Sequence, residues 1–151
     1  MQELECYYIN RGTCAIIPID KNVSEVIELD SSYKVNKSSK EIIDDSCRYF
    51  GSSYQGRYDG SKKMLNMNYK LPIMIEEFNN LIFFPTSSPR FGQCLWISLN
   101  NIKTYMKYEN NSKIIFNSGK DLILDNSYYS LENQIFRSAM LDSLVRRRRK
   151  N

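Results

Sequence analysis

Residues 95–124, LWISLNNIKTYMKYENNSKIIFNSGKDLIL, decide the reading of the fold. Four apolar runs, LWISL (95–99), IKTYMKY (102–108), KIIF (113–116) and DLIL (121–124), are each too short for a helix and are rich in β-branched or aromatic residues. The breaks between them carry Asn, Ser and Gly, and NSGK (117–120) has the chemistry of a hairpin turn. This is a series of short antiparallel strands.

Working outward, the same texture reaches the N-terminus through Leu4, Cys6 and Tyr8, then Ala15 to Ile19, then Val26, Ile27 and Leu29, then Tyr33 and Val35, then Ile42 and Ile43. LPIMIEEFNNLIFF (71–84) reads as a hairpin turning at EEFNN. The pattern changes near the C-terminus. There Leu131, Ile135, Phe136, Ala139, Met140 and Leu144 recur at helical spacing behind Ser130 as N-cap and Glu132 in the first turn. A shorter helix of one or two turns is expected within Asp45–Tyr54, followed by an exposed loop, because Gly51 and Gly56 weaken helix formation there. The fold class is therefore α+β, predominantly antiparallel β, closed by an amphipathic helix.

AIIPIDKN (15–22) resembles LWISLNNI (95–102), and KEIIDDS (40–46) resembles KDLILDNS (120–127), which suggests an internal repeat at a spacing of about eighty residues. One compact domain is expected over 1–145, with halves of about 1–70 and 71–145, and a basic tail over 146–151.

The net charge of +4 is unevenly spread. Residues 1–45 hold five basic and nine acidic side chains, 46–75 hold five and one, 76–145 hold six and seven, and 146–150 add RRRRK. Clustered positive charge suits a polyanion, because each neutralised phosphate releases condensed counterions. A solvated charged face is the competing explanation, as is a protein-interaction module whose basic surface docks an acidic partner.

Histidine is absent, which removes the Ser-His-Asp and Cys-His arrangements and the commonest general base from this chain. The four cysteines, at 6, 14, 47 and 94, form no CxxC pair and read as reduced, mostly buried thiols. Arginine beside Cys47 leaves open a redox-sensing thiol. Phosphate-binding glycine loops and zinc-protease motifs are missing, so no enzyme, cofactor or metal is expected. No run approaches the apolar length of a membrane span, and the expected location is the cytoplasm, at the nucleoid.

The densest functional signal is SCRYFGSSYQGR (46–57). Arg48 and Arg57 stand among aromatic and small residues, Lys62, Lys63 and Lys70 follow, and Asp59 is the single acid of the segment. Arginine enters the narrow A·T minor groove well, and Gly and Ser let backbone amides approach phosphates. FPTSSPRFGQC (84–94) is a stiff loop between strands that would present Arg90 and Gln93. The candidate DNA contacts are thus Arg48, Arg57, Lys62, Lys63, Lys70, Arg90 and Gln93.

DDSCRYFGSSYQGR (44–57), PIMI (72–75), IFFPTSS (82–88), QCLWIS (93–98), FNSGK (116–120) and SYYSLENQIFR (127–137) together resemble the ComK family of competence transcription factors. The likeness runs in order from about Cys6 to Arg137. It implies a transcriptional activator of DNA-uptake genes that binds paired AT-rich boxes of double-stranded DNA through the minor groove, acting as a homo-oligomer with RNA polymerase as a further partner. Longer relatives carry a tail tied to oligomerisation and to adaptor-directed proteolysis; RRRRKN stands there instead, so adaptor control is not expected and the tail would add DNA affinity. Residues 90–137 are also similar to LytTR-type DNA-binding domains in their order of strand, loop and strand.

Overall fold

The computed structural model describes residues 1–87, 89 and 94–150. Its elements are β1 (Gln2–Leu4), β2 (Thr13–Asp20), β3 (Val23–Glu28), β4 (Ser32–Val35), α1 (Ser39–Tyr49), α2 (Tyr54–Leu65), β5 (Ile73–Glu76), β6 (Leu81–Pro85), β7 (Trp96–Ser98), β8 (Ile102–Tyr108), β9 (Asn111–Phe116), β10 (Asp121–Leu124) and α3 (Tyr128–Arg149). Seven strands form one sheet in the order β1-β4-β3-β2-β7-β6-β5, and β10-β9-β8 form a second. Every pairing is antiparallel except β1 with β4. The α+β class, the hairpin about EEFNN and the strand series over 95–124 stand as read.

Alternation along the strands builds a core on both faces of the larger sheet. Ile16, Val26, Ile73, Phe83 and Trp96 belong to one buried cluster, which Ile42, Ile43 and Cys47 of α1 and Tyr54 and Tyr58 of α2 cover. Ala15, Phe84 and Ile97 join a second cluster with Ile114, Phe116 and Leu124 of the small sheet and Leu131 of α3. The described chain is thus three layers: α1 and α2, the larger sheet, and the smaller sheet with α3.

Three helical readings need correction. Ile42 and Ile43 lie in α1, not in a strand: Ser38 accepts from the Glu41 N–H, Glu41 reaches back to the Ser38 N–H, and this capping box starts the helix. Gly51, at φ 93°, then ends α1, its N–H donating to the Arg48 carbonyl and that of Ser52 to Cys47. The expected exposed loop is α2, restarted by Ser53, whose Oγ accepts from the Gly56 N–H. The expected short helix and loop are thus two helices, each with its own serine cap.

The N-cap of α3 is Ser127, which accepts from the Ser130 N–H, so the helix begins one turn early. It runs on through the four arginines, which makes that part of the tail its last turn. Its buried line is Leu131, Gln134, Ser138 and Leu141, while Phe136 and Met140 are exposed. Burying Gln134 is tolerable because its Nε2 donates to the Lys70 and Pro85 carbonyls at 3.0 and 2.7 Å. Ser138 likewise donates to the Gln134 carbonyl.

A similar order of elements occurs twice in the architecture, at an offset of 88 to 89 residues. β2-β3-β4-α1 and β8-β9-β10-α3 are both three-strand meanders followed by a serine-capped helix. Ser24 and Ser112, 88 residues apart, each donate at 2.8 Å to the carbonyl just before the cap, Lys37 and Asn126. Ser38 and Ser127, 89 apart, are the caps themselves. Of the two matches near eighty, AIIPIDKN lies on β2 and LWISLNNI on β7 and the turn after it, while KEIIDDS lies in α1 and KDLILDNS covers β10.

Candidate nucleic-acid interface

α1 and α2 are joined through Asp44. Its Oδ1 accepts from the Tyr54 N–H that opens α2 and its Oδ2 from Arg48 Nε, both at 2.9 Å. Partial burial pulls this carboxyl upward, but those two donors outweigh it and hold the group below the ordinary range. Arg48 is consequently anchored at its base with 66% of its side chain still open to solvent.

Three shallow grooves run continuously across this face. Lys40, Asp44, Arg48 and Tyr54 line the first, of about 350 Å³. Lys40 and Tyr54 continue into the next, of about 360 Å³, with Tyr58, Tyr69 and Lys70. Asn68 leads from there to the third, of about 540 Å³, where Lys62 and Lys63 stand in the last turn of α2. Cations and rings interleave along the way: Lys40 lies 5.1 Å over Tyr54, and Arg137 of α3 lies 5.3 Å over Tyr69.

Comparison with known proteins agrees with the motif order in the sequence. The family model described as ComK protein matches residues 4–150. The chain belongs to the ComK family. A relative from Bacillus subtilis (strain 168), described as a competence transcription factor, is 40% identical over 142 residues, spanning 91% of this chain and 74% of that protein. No solved structure matches.

Of the contacts expected from sequence, this ComK-family chain brings Arg48, Lys62, Lys63 and Lys70 to one face. Arg57 is differently employed. Its Nη1 donates to Glu77 Oε1 at 2.6 Å with only 19% of the side chain exposed, tying α2 to the β5–β6 turn. Arg90 and Gln93 lie outside the described residues. Lys40, Tyr54, Tyr58, Tyr69 and Arg137 were missed, because what unites them is the α1–α2 junction and the approach of α3, neither of which is local in sequence. Where a ring adjoins a charge in sequence, as Tyr69 does Lys70 and Phe136 does Arg137, it was the signal on offer.

The redox reading of Cys47 does not survive the geometry. The thiol is fully buried in the core beneath α1, and burial pushes it up to about 12, away from thiolate. Cys14 and Cys94 are buried too, and Cys6 is exposed. Among the described residues no three His, Cys, Asp or Glu side chains converge on a point, and no helix is long and apolar enough to cross a membrane.

Proposed function

We propose that this chain is a DNA-binding transcriptional activator of competence genes, and that the α1–α2 face is laid against AT-rich boxes in the minor groove. The observation that carries the reading is the run of Lys40, Arg48, Lys62, Lys63, Lys70 and Arg137 among tyrosines on one continuous surface. Cations neutralise phosphates while rings and arginine planes pack on sugars and base edges, and a narrow A·T groove concentrates negative potential where arginine can enter. Membership of the ComK family, and a relative described as a competence transcription factor, support the same function. Arg48 is the side chain best placed to enter a groove, since Asp44 steadies its base while its end is free. Arg57 would reach DNA only by leaving Glu77. Arg90 and Gln93, expected from the sequence, belong to the same reading. Oligomeric binding to paired boxes, contact with RNA polymerase and a place at the nucleoid belong to the same reading, with no catalytic step.

Fluorescence anisotropy on AT-rich and GC-rich duplexes at two salt concentrations tests it. The AT-rich duplex should bind more tightly, with affinity falling log-linearly in salt. Arg48→Ala should keep the fold, losing only an exposed i,i+4 pair, yet weaken duplex binding and lower the salt slope by about 1. Equal affinity for both duplexes together with an indifferent Arg48→Ala would refute minor-groove reading.

A further inference from the structure

α2 departs from good helix chemistry at its most exposed line. Gly56, Gly60 and Lys63 fall there at i, i+4 and i+7, and glycine is the poorest helix-interior residue after proline. Gly56 has a local reason: a Cβ would stand 3.2 Å from Ser52 Oγ and 3.3 Å from Ser53 Oγ, within the cap. Gly60 has none. A Cβ at that position would meet nothing within 4 Å, and its backbone is ordinary helix. Nothing inside the molecule requires the missing side chain.

The surroundings say what could require it. Lys62 and Lys63 follow directly, and Asp59, the helix's single acid, is engaged by Gln55 Nε2 at 2.9 Å. On the other side α2 packs against α3, with Met64 and Leu65 beside Leu141, Leu144 and Val145. Glu77 draws the end of α3 toward the start of α2, its carboxylate accepting from Arg57 and its backbone carbonyl from Arg149. The exposed, unpartnered face of α2 thus carries two lysines, and its one acid is already engaged by Gln55.

We infer that α2 lies with this face on the sugar–phosphate backbone of duplex DNA, and that Gly60 marks the point of closest approach. The inference rests on the DNA-binding reading above and names the element that is nearest the backbone. A hydrogen in place of a side chain lets helix and phosphate ridge come together, which sets how far Lys62 and Lys63 must reach. A methyl group would hold the two surfaces apart along the whole line.

Stability and affinity then respond to one substitution in opposite directions. In the full chain Gly60→Ala should raise the melting temperature by about 2–4 °C, as replacing glycine in an exposed helix does. The same variant should weaken binding to a labelled AT-rich two-box duplex tenfold or more. Lys63→Gln is the reference, expected to lose affinity and reduce the salt slope by about 1 with an unchanged melting temperature. A Gly60→Ala protein that melts higher and binds as before would overturn the inference, as would one that melts lower, since the glycine would then serve the fold. Failure of the unsubstituted chain to bind any duplex would remove the DNA-binding reading itself, a result distinct from both.

Discussion

Glu77 shows how one exposed residue can hold two basic side chains, Arg57 by its carboxylate and Arg149 by its backbone carbonyl. It sits at the turn of the β5–β6 hairpin beside Phe78, which is 92% exposed, and it holds Arg57 by its carboxylate. The Arg57 guanidinium keeps that carboxyl below its usual range. A depressed carboxyl stabilises the fold above its unfolded value and loses that contribution as pH falls through the folded one. Glu77→Gln should therefore be less stable than the parent in urea at pH 7, by about 1 kcal/mol or less because Glu77 is 61% open to water, with the difference shrinking as the carboxyl is protonated in acid. The cysteines respond to reagents by position. Thiol titration of the native protein should find Cys6 fast and Cys14, Cys47 and Cys94 protected, with all four reacting in denaturant.

At the scale of elements, the strands were legible because their signal is local: alternation and turn residues place β8, β9 and β10 within a few residues of where they lie. Helix boundaries were less so. Both Ser127 and Ser130 are good caps, and the choice depends on Tyr128 and Tyr105, whose hydroxyls donate to Glu132 at 3.0 and 3.1 Å and so pull the first turn toward the small sheet. The face of α3 was misread for a related reason. Hydrophobic spacing favours Phe136 and Met140, whereas burial goes to Gln134, which finds two carbonyls supplied by distant parts of the chain. Of the interface, Arg48, Lys62, Lys63 and Lys70 were visible in the sequence, whereas Lys40, Arg137 and the aromatic partners that link α1, α2 and α3 were not. Ser127→Ala should cost about 1 kcal/mol in chemical denaturation, while Ser130→Ala should cost little.

At the scale of the molecule, the two meander-and-helix units are held to each other by polar groups as well as by apolar burial. Lys120, in the β9–β10 turn, donates to the Glu28 and Ser31 carbonyls at 2.9 and 3.1 Å. Asn101, just before β8, donates to the Arg11 and Thr13 carbonyls, both at 2.9 Å. Lys120→Met keeps most of the stem and removes two charged hydrogen bonds, so it should lower unfolding stability by roughly 1.5–3 kcal/mol, with hydrogen exchange rising first in the β3–β4 turn.

The sheet order also governs the chain's passage out of the ribosome. β2 pairs on one side with β3, its neighbour in sequence, but on the other with β7, through Ala15 to Ile97 and Ile16 to Trp96. The partner of that second edge is thus translated some 80 residues later, about 4–16 s at 5–20 residues per second. During that interval an apolar strand in the middle of the future sheet stands open along one side. Edge-to-edge association is a hazard of the nascent chain, which ends when Trp96 arrives.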